Sequence, residues 1–143
     1  MEEQCLVKAS LSQDVIQTLE QLCPTLPFMP IVRDTHPLHE QLLSADINYV
    51  GAEVLFESED AEVASAEFIE KMHKDKKVVW VNSIIYDYKE QLCAGHSDDT
   101  ALCVSQDEGW GWLAKRGFDL IQTDWTQMLL TYLNKNELLY KTK

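Results

Sequence analysis

Positive charge is scarce in this sequence. Its 12 lysines and arginines stand against 24 aspartates and glutamates, which gives a formal net charge of −12 at pH 7. A surplus of negative charge raises the electrostatic cost of approaching nucleic-acid phosphates or anionic lipid. We therefore expect neither nucleic acid nor a membrane surface among the partners.

Long apolar runs are also lacking. None approaches the roughly 18 residues that a bilayer-crossing helix needs. The first ten residues show no basic stretch followed by an apolar one, so they do not have the pattern of a signal peptide. We expect a cytoplasmic protein with no membrane span, although a fragment of a longer chain would also lack a signal peptide.

Closely spaced cysteines are missing as well. The four cysteines lie 18, 70 and 10 residues apart, whereas two thiolates that share a zinc ion usually lie two to four residues apart. We expect free thiols in a reducing compartment. They are Cys5, Cys23, Cys93 and Cys103.

The sequence does contain enough apolar residues for a core. With 143 residues and 45% apolar content, residues 1–143 are the size of one domain. Five short apolar runs, each followed by a helical pattern, indicate consecutive βα units and hence a parallel sheet of the α/β class. The predicted strands span residues 5–9, 28–32, 49–56, 78–82 and 118–123.

Helical spacing follows each run. Ser10 or Ser12 can cap the first helix, and Asp60 is the expected N-cap of the third. Residues 84–107 break this rhythm with a turn-rich stretch, so we expect an insertion there, which in such a place usually forms a lid or a functional loop. Gly117 is expected to end a short helix near Trp110.

Polar residues interrupt all five apolar runs, although strands buried on both faces are normally hydrophobic throughout. Most of them lie at or near the carboxyl ends of their strands, where ligands bind in barrels and open α/β sheets. Together they favour a polar mouth or lumen that forms a substrate pocket. The predicted pocket residues are Lys8, Arg33, Glu53, Trp80, Asn82, Gln122 and Asp124.

The alternating direction of strand side chains groups some of these residues. A period of two places Trp80 and Asn82 on one face, and likewise Gln122 and Asp124. Each polar residue on its own has a simpler explanation, which is that it ends a strand or makes a buried pair, such as Lys8 with Glu53.

One histidine has carboxylates close to it in sequence. His96 precedes Asp98 and Asp99, which could orient its ring or hold a divalent ion with it. A solvated turn explains the same stretch equally well. The other histidines are His36 and His39 at a helix start and His73 at a helix end.

Two segments in the second half resemble a known family. The segment 78–83, Val-Val-Trp-Val-Asn-Ser, is similar to the seventh barrel strand of glycerophosphodiester phosphodiesterases, and 117–124, which ends in Thr-Asp, is similar to the eighth. Between them, 95–102 and 109–113 resemble the long insertion of a bacterial branch of that family. The earlier runs then fit the fourth, fifth and sixth strands.

The resemblance implies half of a (β/α)₈ barrel, with phosphodiester hydrolysis and a divalent cation, Mg²⁺ or Ca²⁺, in the full-length family. It also implies that Trp80 walls the site against the glycerol moiety and that Asp124 lies at the mouth. The family's catalytic histidines and its carboxylate metal ligands belong to the other half, and no counterpart is present here. Trp125 and Thr126 replace the usual Arg-Pro after the eighth strand.

Three hypotheses remain open on the sequence. The first is a half-barrel that is inactive alone and pairs through its open sheet edges, with itself or with a missing amino-terminal half. The second is a non-catalytic α/β module that binds a phosphoryl or polyol ligand, or a protein partner. The third is an independent enzyme that uses His96, Asp98, Asp99 and Asp124.

Overall fold

The computed structural model describes residues 5–87 and 92–139. Their five strands form one open sheet. All four strand pairings are parallel, and the strands follow one another in chain order. The predicted α/β class is confirmed, and the architecture is that of five consecutive strands in half of a (β/α)₈ barrel. The strands are β1 (Val7–Ser10), β2 (Phe28–Arg33), β3 (Gly51–Leu55), β4 (Val78–Asn82) and β5 (Leu120–Gln122).

Strand limits differ from the predicted ones by at most two residues, and β4 has its predicted limits. β1 begins two residues later than predicted, and β3 and β5 are shorter than 49–56 and 118–123 at both ends. Tyr49 and Phe56 flank β3 and each joins the sheet through a single parallel bridge, to Phe28 and Cys93 respectively. The apolar run in the sequence is therefore longer than the part of β3 that forms continuous strand hydrogen bonds.

Helices connect successive strands. A 3-10 turn (Glu62–Ala64) precedes the third helix, and a π turn (Asp107–Gly111) leads into the fifth. Gly117 ends that fifth helix with a φ of 107°, as predicted. The helices are α1 (Gln13–Leu22), α2 (His39–Ser44), α3 (Ala66–Lys74), α4 (Asp98–Cys103), α5 (Trp112–Arg116) and α6 (Thr126–Lys135).

Serine side chains cap two of the helices that the sequence predicts. Ser12 Oγ accepts a hydrogen bond from the Val15 amide and caps α1. The prediction that Asp60 caps the third helix is wrong, because Ser65 Oγ accepts from the Phe68 amide instead. The intervening 3-10 turn moves the start of α3 by one turn beyond the acidic stretch.

The main hydrophobic cluster lies on one face of the sheet. Side chains that alternate along β2 to β4 are buried there against α1, α2, α3 and α5. This covered face consists of Phe28, Val32, Ala52, Val54, Val79 and Val81. The opposite face has no comparable layer of helices among the described residues, so we call it the open face.

The predicted insertion at 84–107 contains more regular structure than the sequence suggested. Residues 88–91 lie outside the described part of the chain. After them, α4 begins at Asp98, and Ser97 Oγ accepts from the Thr100 amide as its cap. The helix was missed because a six-residue helix is too short for its apolar spacing to be recognised.

No helix within residues 5–87 and 92–139 combines the length and apolar character that crossing a membrane requires.

Candidate functional site on the open face

The open face carries the polar residues that the sequence predicts. The strand register pairs Glu53 with Trp80 and Asn82 with Gln122, and residues paired across parallel strands lie on the same side of a sheet. Lys8 and Arg33 fall on this side too, because they alternate with covered-face residues. The structure thus brings six of the seven predicted pocket residues to one face.

Four of these side chains form one connected cluster. Lys8 Nζ lies 2.6 Å from Glu53 Oε2 and 4.1 Å from the centre of the Trp80 ring. Asn82 Nδ2 donates to Glu53 Oε1 at 2.6 Å, and Trp80 Nε1 donates to Asn82 Oδ1 at 3.0 Å. The predicted Lys8–Glu53 pair is confirmed, and we call the four residues the central cluster.

Burial explains why the central cluster is paired. Glu53 is only 5% exposed, and an unpaired buried carboxylate would cost several kcal/mol. The side chain of Lys8 is 29% exposed, so its ammonium group reaches both Glu53 and solvent. The ring of Trp80 lies against this cation, which adds a cation–π contact.

Two buried acceptor oxygens of the open face receive no hydrogen bond from the described residues. One is Glu53 Oε2, whose contact with Lys8 is an ion pair without hydrogen-bond geometry. The other is Gln122 Oε1, while Gln122 Nε2 donates to the Tyr86 hydroxyl at 3.4 Å. Glu53 Oε2 is neutralised by the Lys8 ammonium 2.6 Å away, so Gln122 Oε1 is the oxygen that suits a ligand with a hydroxyl donor.

A cavity opens at the carboxyl ends of β1, β2 and β3. Its volume is about 440 Å³, and its polar lining includes Ser10, Arg33 and Thr35. Leu38 and Leu55 line its apolar side. Arg33 also lies 3.9 Å from the Glu57 carboxylate, a distance typical of a weak, solvent-exposed pair. This mouth cavity lies where ligands bind in parallel α/β folds.

Asp124 differs from the other predicted pocket residues. It comes two residues after the end of β5, and it is exposed. Its backbone amide donates to Asp98 Oδ2 at 3.0 Å. Because β5 ends at Gln122, the alternation of strand side chains does not extend to Asp124, and its place in the pocket stays a prediction.

Asp98 lies at the centre of a different polar cluster. It is 3% exposed, and its Oδ1 accepts from the Ser83 hydroxyl at 2.7 Å, the Trp110 indole at 2.7 Å and the Thr123 hydroxyl at 2.8 Å. With the Asp124 amide on Oδ2, both carboxylate oxygens are occupied. These contacts fasten α4 to the ends of β4 and β5.

His96 is oriented by glutamates rather than by the aspartates that follow it. Its Nε2 lies 2.8 Å from Glu59 Oε1, and its Nδ1 bonds to the Glu108 carbonyl. The ring stacks on Trp112 at 4.0 Å between centres. A ring nitrogen that donates to an oxygen has no lone pair for a metal ion. Asp99 is exposed in the first turn of α4.

A metal site at His96, Asp98 and Asp99 therefore finds no support in these contacts. Within residues 5–87 and 92–139, no three His, Cys, Asp or Glu side chains are grouped so that they could hold an ion. The described residues do not fit a divalent cation, and the third hypothesis has no assembled catalytic group behind it.

Cys23, Cys93 and Cys103 are free thiols, as predicted. Burial raises the pKa of Cys93 to about 12, and the nearby Asp98 carboxylate adds to the shift. This thiol is therefore not a nucleophile near neutral pH.

Sequence reasoning missed a buried network between α2 and α3. It joins His36, Tyr49, His39 and Asp75 through side-chain hydrogen bonds of 2.9–3.0 Å. The only sequence signal was the pair of histidines three residues apart at a helix start. Their partners lie 10 to 36 residues away, which no local pattern reveals.

Comparison with known sequences identifies a family. Residues 28–133 match DUF4996, a family described as a domain of unknown function. The match covers most of the chain, from β2 to α6, and the chain belongs to this family. No curated protein matches it.

Proposed function

We propose that this member of the DUF4996 family is the carboxyl-terminal half of a glycerophosphodiester phosphodiesterase-like barrel, and that its open face forms one side of a phosphodiester-binding pocket. The observation that carries the proposal is the central cluster, together with the buried acceptor oxygen Gln122 Oε1 on the same face. Hydrolysis then requires an amino-terminal half, in a longer parent or on a second chain.

The open sheet supports the need for a second half. Parallel sheets are almost always covered on both faces, whereas helices cover only one face among the described residues. The outer edges of β1 and β5 have no neighbouring strand there. Open strand edges favour pairing with another chain or segment. A matching half-barrel satisfies both the open face and the edges.

The residues of the open face have complementary roles in this proposal. Lys8 supplies positive charge for a phosphoryl oxygen and remains held by Glu53. Trp80 provides an apolar wall for the carbon chain of a glycerol group. A hydroxyl group of the polyol donates to Gln122 Oε1. Arg33 at the mouth cavity attracts the anionic ligand before it binds.

In this proposal, the divalent cation of the glycerophosphodiester phosphodiesterases belongs to the amino-terminal half. When bound, a cation of this kind neutralises charge that develops on the phosphoryl oxygens. The described residues do not group three ligands for it. This chain's own contribution is therefore to position the ligand and to exclude water from one side of the pocket. A cytoplasmic location is part of the same proposal and is supported by the free thiols.

Complementation tests the proposal. The chain is mixed with a matching amino-terminal half, and glycerophosphodiester hydrolysis is assayed with added Mg²⁺ or Ca²⁺. We expect turnover in the mixture only, and Lys8→Met should abolish most of it. Lys74→Met removes the same charge from the exposed surface of α3 and should leave the rate unchanged. No gain in turnover on mixing would count heavily against the proposal.

A non-catalytic binding module is the second candidate, favoured by one observation. The central cluster is complete within this chain and needs no residue from elsewhere. Calorimetry of the isolated chain with glycerol phosphate and with glycerophosphodiesters distinguishes the two candidates. Binding that Trp80→Ala removes, with no hydrolysis even after complementation, would support the module.

A further inference from the structure

A chain of hydrogen bonds crosses the helix layer between α2 and α3. The Tyr49 hydroxyl lies 3.0 Å from His36 Nε2 and 3.0 Å from His39 Nδ1. His39 Nε2 lies 2.9 Å from Asp75 Oδ2. Both histidines are 4% exposed and Tyr49 is 3% exposed, so solvent does not replace these contacts. We call the four residues the buried relay.

The carboxylate at one end sets the direction of the protons. His39 holds the pKa of Asp75 below its usual value, mainly through their hydrogen bond, so Asp75 is ionised and can only accept. His39 Nε2 donates to Asp75, and the Tyr49 hydroxyl donates to Met72 Sδ at 3.7 Å. The Tyr49 oxygen therefore accepts from the two ring nitrogens that lie 3.0 Å from it, His36 Nε2 and His39 Nδ1.

The other end of the buried relay stops at an atom without a partner. His36 Nδ1 is buried and receives no hydrogen bond from the described residues. If His36 Nδ1 is unprotonated, the ring is neutral and the atom lacks one hydrogen bond. If His36 Nδ1 is also protonated, the ring carries an unpaired positive charge in the interior, which is far more costly. The geometry therefore accommodates a neutral His36 only.

The charges around His36 do not offer a counter-ion. On its own side are His39 and Glu40, and Glu40 is already paired with Lys71 of α3 at 2.6 Å. Lys77, which precedes β4, donates to the Tyr49 carbonyl at 2.6 Å. The remaining carboxylate, Asp75, is bonded to His39 at the far end of the relay.

The buried relay and the mouth cavity share one segment. The cavity is lined by Thr35, Pro37 and Leu38. His36 lies between Thr35 and Pro37 in the chain, and His39 follows Leu38. Displacing His36 from Tyr49 therefore displaces one wall of the cavity. The segment 35–38 is short, so its two sides cannot move independently.

We infer that the buried relay is an acid-sensitive clasp that holds segment 35–44 closed against α3, and that protonation of His36 releases this wall of the mouth cavity. The inference rests on the proposed function for the role of the cavity, whereas the clasp itself rests on the contacts of His36.

The sign of the pH effect follows from burial. Desolvation first, then the charges of His39 and Lys71, lower the pKa of His36 from 6.5 to about 4. A histidine whose pKa is lowered in the closed state stabilises that state fully above pH 6.5, and the stability is lost as the pH falls toward 4. Between pH 7.5 and pH 5 the opening equilibrium should rise about 30-fold, since each unit of pH contributes up to a factor of ten.

Amide hydrogen exchange measures this opening. The reporters are the amides of Leu42 and Ala45, which donate to Leu38 and Gln41 carbonyls within α2. We expect their protection factors, corrected for the pH dependence of intrinsic exchange, to fall about 30-fold from pH 7.5 to pH 5. The amide of Leu129 in α6 is the internal control and should not change. Equal changes at α2 and α6 would overturn the inference.

Two variants separate the clasp from general acid sensitivity. His36→Gln keeps a donor toward Tyr49 but cannot take up a proton, so its α2 protection should be flat over this pH range. His73→Gln removes an exposed histidine that pairs with Asp119, and it should behave like the unaltered chain. An unchanged acid response in His36→Gln would refute the inference. If His36→Gln does not fold, NMR titration of the His36 ring in the unaltered chain decides, since titration near 6.5 would equally refute it.

Ligand binding gives the second readout. Glycerophosphoglycerol, a phosphodiester whose charge does not change between pH 7.5 and pH 5, is titrated by calorimetry at both values. Weaker binding at pH 5 in the unaltered chain but not in His36→Gln supports release of the cavity wall, and equal weakening in both refutes it. Absence of binding at either pH would refute the proposed function and leave the exchange result to decide the clasp.

Discussion

The two faces of the sheet differ in what keeps their side chains in place. On the covered face, aliphatic and aromatic groups are excluded from water by α1, α2, α3 and α5. On the open face, Lys8, Glu53, Trp80 and Asn82 hold one another through an ion pair, two hydrogen bonds and a cation–π contact. The comparison indicates that burial of apolar groups holds the covered face in place, whereas polar contacts among side chains hold the open face in place.

The largest effect tests the covered face. Phe28→Ala should lower the free energy of unfolding by about 3–5 kcal/mol, because the ring is fully buried and its loss leaves a cavity. Leu120→Ala is the control on the open face, where this side chain is 43% exposed. It should cost less than about 1 kcal/mol in the same urea titration. Similar losses at both positions would erase the distinction between the faces.

The next effect tests the central cluster. Glu53→Ala leaves the Asn82 amide without its acceptor and Lys8 without its counter-ion, and should cost about 2–3 kcal/mol. The value is at the low end for a buried pair because Lys8 reaches solvent. Adding Lys8→Met to Glu53→Ala should recover part of the loss. Strictly additive losses in this double-mutant cycle would show that the two side chains do not interact.

A smaller change sharpens the role of Trp80. Trp80→Phe keeps an aromatic ring under Lys8 but removes the indole donor to Asn82, and should cost about 1 kcal/mol. Thermal or urea unfolding measures the loss. Trp80→Ala removes the ring as well and should cost more. If the two variants were equally unstable, the ring would contribute nothing and the cation–π contact would be discarded.

The smallest effect compares two ion pairs of the same length. Lys71 Nζ and Glu40 Oε1 are 2.6 Å apart, like Lys8 and Glu53, but both side chains are more than half exposed. Water screens an exposed pair, so a double-mutant cycle of Lys71→Met and Glu40→Gln should show no measurable coupling. A coupling as large as that of Lys8 with Glu53 would mean that burial does not distinguish the pairs.

The predictable features of this protein are those with a local cause. Short runs of β-branched and other apolar residues predicted all five strands, because such residues favour a strand whose side chains pack against helices. Residues 78–82 are the clearest example. The capping role of Ser12 and the end of α5 at Gly117 depend on neighbouring residues alone. Polar residues inside apolar runs likewise marked the open face, because a strand has only two sides.

The missed features depend on residues that are distant in sequence. Asp98 was a candidate metal ligand on its neighbours, yet its contacts come from Ser83, Trp110 and Thr123 on separate elements. Asp98 and Asp99 were one possible pair of partners for His96, but Glu59, 37 residues earlier, contacts its ring instead. In both cases tertiary packing supplied partners that compete successfully with the sequence neighbours.

Sequence alone determined the parallel arrangement of five βα units and the side of the sheet on which Lys8, Glu53, Trp80 and Asn82 lie. Both follow from local conformation and from the alternation of strand side chains. Only the tertiary structure decided which other polar atoms meet, such as Asn82 with Glu53 on the open face and His36 with Tyr49 in the buried relay. Those contacts join side chains that are distant in sequence. Their geometry therefore depends on how whole helices and strands pack against one another.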